Sequence, residues 1–278
     1  ILDVDLIERV EFAPGPGSSI YGSNAFFGVI NVIIKTGLNL PGTELTAGVG
    51  SDHARRGRIS HGAHTEAGWD ILASVTGFDT EGDDLYFPEF DDPATTGGGV
   101  VDQDSDRGGQ VFAKIARGPW VVSGAVSRRV KKVPTAAFFQ VFNQPGNHTE
   151  DEQMFLQAKY EREIRPGIDL FGTLYHGRYN YDGEYVYDSG DNFDIGRGRW
   201  WGSELRVLFK QWQAHKFLVG GEYHKDPHRD QKVVTPEPYF LYLDDHRQRT
   251  SYAVYIQDEW AVSSTTLTNF GIRRDGSN

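Results

Sequence analysis

The feature that most constrains the fold is the alternation of apolar and polar residues along segments of roughly ten residues. In one such segment, Trp120, Val122 and Val126 fall on one face of an extended strand, while Ser123 and Ser127 fall on the other. Successive side chains of a strand point to opposite faces of a sheet. The pattern therefore predicts strands with one apolar face and one small or polar face.

Eleven strands of this kind are predicted along most of the chain. They begin near Thr43, Gly57, Trp69, Gly108, Trp120, Glu152, Ile168, Arg199, His215, Thr250 and Thr266. Tight turns alternate with long polar loops, which we expect near residues 80–107, 133–151, 181–198 and 227–249. Bacterial outer-membrane barrels have short periplasmic turns and longer outer loops. The predicted fold class is therefore all-β, a transmembrane antiparallel β-barrel.

Composition excludes several other classes of protein. No stretch approaches the roughly 20 apolar residues of a membrane helix, and the mean hydropathy is -0.49. The absence of cysteine excludes disulfide frameworks and thiolate chemistry. A net charge of -11 argues against nucleic-acid binding. No hydrolase triad motif or clustered histidine metal site is recognisable, so we expect no enzyme.

The six tryptophans are predicted to lie at or near strand ends. They are Trp69, Trp120, Trp200, Trp201, Trp212 and Trp260. Aromatic residues in such positions form the interfacial girdles of a membrane barrel. The alternative is that they cap the core of a soluble sandwich.

The segment from Ile7 to Gly37 has a different texture. It reads IERVEFAPGPGSSIYGSNAFFGVINVIIKTG, two short apolar runs around a Gly-, Pro- and Ser-rich turn. It resembles the end of the plug domain of TonB-dependent outer-membrane receptors. The matching residues include Glu8, Arg9, Glu11, Gly15, Pro16, Ser18, Tyr21, Gly22, Ala25, Gly28, Val29, Ile30, Asn31 and Lys35. Segments beginning at Leu85 (LYFPEFDDPAT), Tyr160 (YERE) and Tyr255 (YIQDEW) also resemble barrel segments of this family.

The resemblance implies two domains. Residues 1–37 would be the C-terminal part of the plug, and residues 38–278 the N-terminal half of the barrel, about 11 of about 22 strands. Because an eleven-strand wall would leave open edges in lipid, we expect the sequence to be a fragment.

The resemblance also implies a function and partners. Such receptors reside in the bacterial outer membrane, among lipid and lipopolysaccharide, and take up a scarce, bulky nutrient. A ferric siderophore is the foremost candidate cargo, with haem, cobalamin or a glycan as alternatives. The TonB–ExbB–ExbD complex supplies energy through a box that we expect to precede this sequence. The rival interpretations are a plugless porin-like or adhesin barrel and a soluble β-rich carbohydrate-binding protein.

The resemblance further suggests a latch between plug and barrel. The plug-motif residues concerned are Arg9, Glu11, Gly15, Pro16, Tyr21, Gly22, Gly28 and Asn31. Pro14 stands where the family usually has an arginine, which puts one latch position in doubt, and Phe27 replaces a usual glycine. We expect Arg9 to reach lumen-facing carboxylates, for which the candidates are Glu204, Glu222 and Glu259. The alternative is that these three line a solvated lumen.

The outer loops offer two further candidate sites. Nine carboxylates crowd the segment from Thr80 to Arg107, and hard oxygen ligands of this kind suit Ca²⁺. The Ca²⁺ candidates are Asp83, Asp84, Asp91 and Asp92, with a solvated loop or a loop bridged to lipopolysaccharide by cations as the alternative. No other cofactor is expected. Aromatic residues can form a ligand platform at the mouth or simply pack the loops together. They are Tyr86, Phe87, Phe90, Tyr181 and Tyr185.

Overall fold

The computed structural model describes residues 2–15, 25 and 27–278, and this part of the chain is almost entirely β-strand. In chain order the strands are β1 (Ile7–Pro14), β2 (Gly28–Ile34), β3 (Gly42–Val49), β4 (Arg55–His64), β5 (Trp69–Thr80), β6 (Leu85–Tyr86), β7 (Gly99–Val100), β8 (Asp106–Arg117), β9 (Trp120–Lys132), β10 (His148–Arg165), β11 (Ile168–Tyr187), β12 (Gly190–Phe209), β13 (His215–Pro236), β14 (Tyr239–Ser263) and β15 (Thr266–Ser277). Two single 3₁₀ turns cover Val4–Leu6 and Pro88–Phe90. Among these residues, no helix is long and apolar enough to cross a membrane.

Eleven strands form one antiparallel sheet, in the order β15-β14-β13-β12-β11-β10-β9-β8-β5-β4-β3. Apart from β6 and β7, strands that are neighbours in this sheet are also consecutive in the chain. Every connection is therefore a hairpin or a loop at one end of the sheet. The short strands β6 and β7 pair with each other inside the connection between β5 and β8. Strands β1 and β2 form a separate antiparallel hairpin. The prediction of an all-β, eleven-strand antiparallel wall is confirmed.

The two faces of the sheet differ as the alternation predicts. Apolar side chains such as Val126, Leu156 and Leu174 lie on the outward face and are 56%, 53% and 62% exposed. The inward face of β4 and β5 carries small polar side chains, among them Ser60 and Ser74, whose hydroxyls lie 2.8 Å apart. An outward face that remains apolar and exposed is the arrangement expected where lipid replaces water.

The buried core joins the N-terminal segment to the wall. It consists of Leu6, Leu40, Leu72, Phe112 and Ala125. Leu6 precedes β1, and Leu40 lies in the connection that leads from β2 to β3, whereas the other three belong to the inward face of the sheet. This apolar cluster therefore lies where the N-terminal segment packs against the inward face of the wall, not within the wall itself.

The tight turns and two of the predicted long loops are confirmed, but the other two are wrong. Residues 181–198 and 227–249 form the paired ends of β11–β12 and β13–β14. Strand β14 thus has 25 residues, whereas about 9–11 suffice to cross a membrane. These hairpins project beyond the lipid, where water wets both faces. Apolar and polar residues therefore do not alternate along these two segments, although their backbones remain hydrogen-bonded as paired strands.

The tryptophans divide into two groups. Trp69 and Trp120 begin β5 and β9, Trp260 lies three residues from the end of β14, and Trp212 lies in the short turn between β12 and β13. Their exposed fractions of 38% to 52% suit an interfacial girdle. Trp200 and Trp201 do not lie at a strand end, because β12 extends ten residues beyond Trp200 toward Gly190. The prediction that they lie at a strand end is therefore wrong; Trp200 points inward, whereas Trp201 is 43% exposed on the outward face, and its place in a girdle stays a prediction.

A testable consequence concerns the inward glycine Gly220. A Cβ atom there would overlap the ring of Tyr255, which is 4% exposed. We expect Gly220→Val to displace this ring and lower the free energy of unfolding by about 1–3 kcal/mol. Gly57→Val is the control, because no atom lies within 4 Å of the position that its Cβ would take on the outward face. Urea unfolding of the full-length receptor, followed by tryptophan fluorescence, measures both; equal effects would contradict the packing described.

Candidate functional site: the plug hairpin and the inner wall

The β1–β2 hairpin contains most of the described plug-motif residues. Its register runs from Ile7 opposite Ile34 to Pro14 opposite Gly28. Gly15 has φ of +95°, a left-handed conformation that favours glycine, and Gly28 lies so close to β1 that a Cβ would be 2.8 Å from the Ala13 carbonyl oxygen. Of the remaining motif positions, Pro16, Tyr21 and Gly22 lie outside the described residues.

Arg9 has partners other than those expected. Its guanidinium donates to Glu11 at 2.8 Å and to Glu8 at 3.0 Å. The Asn31 side chain, on the facing strand, donates to Glu11 at 3.1 Å. The hydrogen bonds from Arg9 and Asn31 hold the pKa of Glu11 below its ordinary value. Arg9 thus contributes to an exposed network within the hairpin, and its expected ion pairs with the lumen carboxylates are absent from the described structure.

In the ionic contact between the N-terminal segment and the wall, the charges are the reverse of those expected. The acidic side chains belong to the N-terminal segment and the basic side chain belongs to the wall. Asp3, whose side chain is 1% exposed, pairs with Arg56 of β4 and accepts a 2.6 Å hydrogen bond from the Thr76 hydroxyl of β5. Asp5 lies 3.1 Å from the same Arg56 guanidinium. Acidic side chains that precede the hairpin are therefore held by a basic side chain of the wall.

Electrostatics stabilise the ionised form of Asp3. Burial alone would raise the pKa of Asp3, but hydrogen bonds from Thr76, from Arg56 and from the Asp5 amide outweigh it and lower the pKa. Asp3 also caps the 3₁₀ turn Val4–Leu6 by accepting from that amide at 3.0 Å. The buried Asp3 carboxylate therefore caps the turn that leads into β1 and also holds this turn against β4 and β5 of the wall.

A second basic side chain, Arg58, extends this contact across the inward face. Its side chain is 5% exposed, pairs with Glu44 of β3 and lies 3.5 Å from Asp5. It also donates to Ser60 at 2.8 Å and to Thr46 at 3.1 Å. The contact is thus a network of two arginines with three carboxylates, which we call the Asp3–Arg56 latch.

Backbone contacts complete the seat of the hairpin. The Lys114 ammonium of β8 donates to the carbonyls of Ile34 and Lys35 at 3.1 and 3.3 Å. The Asp70 carboxylate accepts from the Gly37 and Leu38 amides at 2.8 and 3.0 Å. These bonds fix the start of the connection to β3 and leave little freedom between hairpin and wall.

The three candidate lumen carboxylates all lie on the inward face, each with a partner in the wall. Glu204 accepts from the Tyr255 hydroxyl at 2.5 Å. Glu222 pairs with Arg273 at 2.8 Å, and Glu259 pairs with Lys216 at 2.7 Å. Between the hairpin and this wall lies a cavity of about 480 Å³, lined by Asn31 of β2 and by Glu204 and Glu222 among others. Glu259 does not line it.

The predicted mouth aromatics form two groups joined by the loop 133–147. Phe90 stacks on Phe142 of this loop with ring centroids 4.2 Å apart, and Phe87 meets Phe142 edge-on at 5.9 Å. Tyr185 meets Phe138 of the same loop at 5.5 Å and bonds to the Tyr181 hydroxyl at 2.6 Å. Phe87, Phe90, Tyr181 and Tyr185 therefore pack the outer loops against the end of the β11–β12 hairpin.

Tyr86 differs from the other mouth aromatics, because it is 57% exposed. Its hydroxyl donates to Asp91 at 2.6 Å, which raises the pKa of Tyr86. Of the other Ca²⁺ candidates, Asp92 accepts from the Ala94 amide at 2.8 Å, and the Asp83 amide contacts Asp104 at 3.3 Å. Within the described ranges, no three histidine or carboxylate side chains are grouped so as to hold a metal ion.

Sequence reasoning missed a cavity on the inner side of the projecting hairpins. It measures about 410 Å³ and is lined by Trp200, Arg229 and Arg247, above Gly196 and Gly198. Arg229 and Arg247 are direct cross-strand partners on β13 and β14. Trp200 points inward, since its ring covers Gly177 so closely that a Cβ there would overlap it. We call this cavity the vestibule.

One charged side chain that lines the vestibule has no described partner of opposite charge, whereas others do. Three aspartates line the vestibule, and each has a partner: Asp245 pairs with Arg247 at 2.6 Å, Asp226 with His224 at 2.9 Å and Asp230 with His246 at 3.2 Å. Arg229 is exposed and has no ion pair or hydrogen bond to any described side chain. An aromatic ring and an unpaired guanidinium thus face the same concave space, which suits an anionic ligand with a flat or apolar part.

Comparison with known proteins assigns the family. Residues 129–278 match the family described as "TonB dependent receptor-like, beta-barrel". The vitamin B12 transporter BtuB of Vibrio vulnificus (strain CMCP6) is 39% identical over 89 residues, which make up 32% of this chain and 14% of BtuB.

Solved structures show the same fold. The ferric-catecholate import receptor Fiu from E. coli K12 superposes with a TM-score of 0.74 at 16% identity, over 98% of this chain and 50% of Fiu. The ferric yersiniabactin uptake receptor FyuA from Yersinia pestis gives 0.64 at 14% identity, over 98% of this chain and 48% of FyuA. The chain thus spans about half the length of these receptors.

The chain belongs to the TonB-dependent receptor β-barrel family. Members of this family reside in the bacterial outer membrane, so the eleven-strand sheet is part of an outer-membrane barrel wall and its apolar outward face contacts lipid. The interpretation as a soluble carbohydrate-binding protein is set aside.

A testable consequence concerns the Asp3–Arg56 latch. We expect Asp3→Asn in the full-length receptor to make opening of the hairpin easier by about 2 kcal/mol, because hydrogen bonds to charged groups contribute about 1.5–3 kcal/mol. Asparagine caps helical turns as well as aspartate does, so the variant removes the charge and keeps the cap. Hydrogen exchange at residues 2–14, read by mass spectrometry, measures the change.

The matched control is Asp5→Asn, which makes the same chemical change at a side chain that is 38% exposed, and we expect a smaller effect. The depressed pKa of Asp3 also sets a pH dependence. Its stabilisation is complete above the unfolded value of about 4 and is lost as pH falls through the folded pKa. Equal exchange in both variants, or none of this acid dependence, would contradict the assigned role.

Proposed function

We propose that the receptor containing this chain is an energy-coupled importer of a bulky nutrient across the outer membrane. The observation that carries the proposal is a plug-type hairpin seated on the inner face of a membrane-barrel wall by a buried ionic contact. A plugless porin-like or adhesin barrel has no need of such a seat. TonB, with ExbB and ExbD, is the proposed source of energy.

The proposed cargo is a ferric siderophore of net negative charge. Its support is the vestibule, where the unpaired Arg229 guanidinium, its cross-strand partner Arg247 and the inward ring of Trp200 face one cavity. Guanidinium groups bind carboxylates and other oxyanions in bidentate fashion.

Cobalamin is the second candidate cargo, because BtuB shares 39% identity with this chain over 89 residues. Cobalamin does not present a cluster of oxyanions, so an arginine pair gives it less advantage. The two candidates therefore differ in how strongly uptake depends on charge at Arg229 and Arg247.

The test uses a deletion strain that expresses the full-length receptor. We expect uptake of a ⁵⁵Fe-loaded anionic siderophore to require both the receptor and TonB. Replacing Arg229 and Arg247 with glutamine should weaken siderophore binding by roughly tenfold or more, since hydrogen bonds between charged groups contribute about 1.5–3 kcal/mol each.

The matched control is Arg107→Gln, an exposed arginine of the wall that does not line the vestibule. Receptor-dependent uptake of cobalamin that is insensitive to the double substitution would favour the second candidate. Uptake that is independent of TonB, or no uptake of any iron, cobalamin, haem or glycan source, would contradict the importer proposal.

A further inference from the structure

The inward face of the wall carries a hydrogen-bonded triad that connects two cavities. The Tyr175 hydroxyl of β11 lies 2.9 Å from His224 Nδ1 on β13, and His224 Nε2 lies 2.9 Å from a carboxylate oxygen of Asp226. Asp226 lines the vestibule. Tyr175 lines the cavity of about 480 Å³ between the hairpin and the wall, which we call the hairpin cavity. Among the described residues, the two cavities share no lining residue, so the triad is a direct polar connection between them.

A glycine on the intervening strand makes this connection possible. Strands β11 and β13 are two strand spacings apart, about 9.6 Å. Gly202 of β12 is the cross-strand partner of both Tyr175 and His224. A Cβ at Gly202 would lie 2.4 Å from the Tyr175 hydroxyl oxygen. The Tyr175 side chain therefore crosses β12 through the space that a larger residue at position 202 would fill.

The partners of His224 determine where its protons lie. An ionised carboxylate only accepts hydrogen bonds, so His224 Nε2 carries a hydrogen and donates it to Asp226. In a neutral imidazole the other nitrogen is an acceptor, so Nδ1 accepts from the Tyr175 hydroxyl. In the protonated imidazolium both nitrogens donate. The Tyr175 oxygen must then become the acceptor, and the hydroxyl hydrogen turns away from His224.

The charged groups around His224 leave Asp226 dependent on it. The nearest titratable or charged side chains on the same face, by strand register, are Tyr175 of β11, Glu204 of β12, Glu222 and Asp226 of β13, and Arg249 of β14. Glu204 is bonded by Tyr255 and Glu222 by Arg273. Asp226 has an ion-pair contact with His224 and with no other described side chain. Protonation of His224 therefore gives Asp226 a cationic partner.

We propose that Tyr175, His224 and Asp226 form a proton-operated switch that links the charge of the vestibule to the hold of the wall on the hairpin. When His224 gains a proton, the charge of Asp226 is offset, and the vestibule repels an anion less. The same proton turns the Tyr175 hydroxyl hydrogen into the hairpin cavity. Asn31 of β2 lines that cavity, and its side-chain oxygen accepts this hydrogen directly or through a water molecule.

Proton uptake and anion binding favour each other in this scheme, because coupling between two sites is reciprocal. The vestibule half of the switch rests on the proposed function, since it takes the ligand to be an anion. The hairpin half rests only on the triad and on the hairpin cavity. Histidine is the side chain whose charge ordinarily changes between about pH 5 and 8, which sets the range of the test.

The first measurement locates the protons on His224. Full-length receptor with ¹⁵N-labelled histidine is studied in lipid bilayers by solid-state NMR between about pH 5 and 8, and the spectrum of His224→Gln identifies the His224 signals by difference. We expect Nε2 to carry a hydrogen throughout and Nδ1 to gain one as the pH falls. The opposite tautomer, or an Nδ1 that gains no hydrogen in this range, would overturn the proposal.

The second measurement reads the hairpin. Ile30 lines the hairpin cavity and is 67% exposed, so Ile30→Cys, as the only cysteine of the full-length receptor, can carry a nitroxide label. We expect its EPR spectrum to show more restricted motion at the acid end of the range, with the midpoint that NMR gives for His224. Both His224→Gln and Tyr175→Phe should abolish this pH dependence, because glutamine does not titrate and phenylalanine has no hydroxyl to turn.

The matched control is His176→Gln, which makes the same chemical change next to Tyr175 but on the outward face, opposite Leu156. This control should keep the pH dependence of the label. A label that does not respond to pH in the otherwise unaltered receptor, a response that survives both triad variants, or an equal loss in the control would overturn the switch. Both measurements are made without cargo, so their failure is distinguishable from failure of the importer proposal, which is read by uptake.

Discussion

Backbone hydrogen bonding in lipid is the constraint on which the rest of the structure depends. No water is available in the hydrocarbon to satisfy an unpaired amide or carbonyl, so a membrane-crossing sheet must pair every strand and finally close. The eleven strands follow one another in unbroken antiparallel order for this reason, and each connection is confined to an end of the sheet. Among the described residues, strands β3 and β15 each pair along one edge only, and a free edge in lipid requires a further partner strand.

Closure makes one face a lipid surface and the other a protected interior. Apolar side chains fill the outward positions, which frees the inward positions for charge. Arg56 and Arg58 can therefore stand on a wall strand and bind Asp3, Asp5 and Glu44, and the side chains of Asp3 and Arg58 are buried. The same division places Arg229, Arg247 and Trp200 inside the projecting hairpins.

The sequence is sufficient to predict the strands that cross the membrane, because lipid imposes a strict apolar alternation there. The same rule explains why residues 181–198 and 227–249 resemble loops in sequence. Beyond the membrane, water meets both faces, and only backbone pairing distinguishes a long hairpin such as β13–β14 from a loop. The prediction for Trp200 is wrong for the same reason, since its strand extends past the expected end. The family can also be recognised from sequence, the assignment of residues 1–37 to a plug stays a prediction, and the ionic partners of Arg9 cannot be predicted. Glu8 and Glu11 of its own strand lie closer to Arg9 than the distant wall carboxylates and hold it.

The most direct test of the seating of the hairpin is a disulfide crosslink between the N-terminal segment and the wall in the intact receptor. The chain has no cysteine, and the Asp3 and Thr76 side chains are in hydrogen-bond contact at 2.6 Å. Asp3→Cys with Thr76→Cys should form an internal disulfide under oxidation in outer-membrane fractions, seen as a reducible mobility shift that neither single variant shows. A receptor that reaches the outer membrane with both thiols free and no crosslink would contradict the seating of the hairpin on the wall.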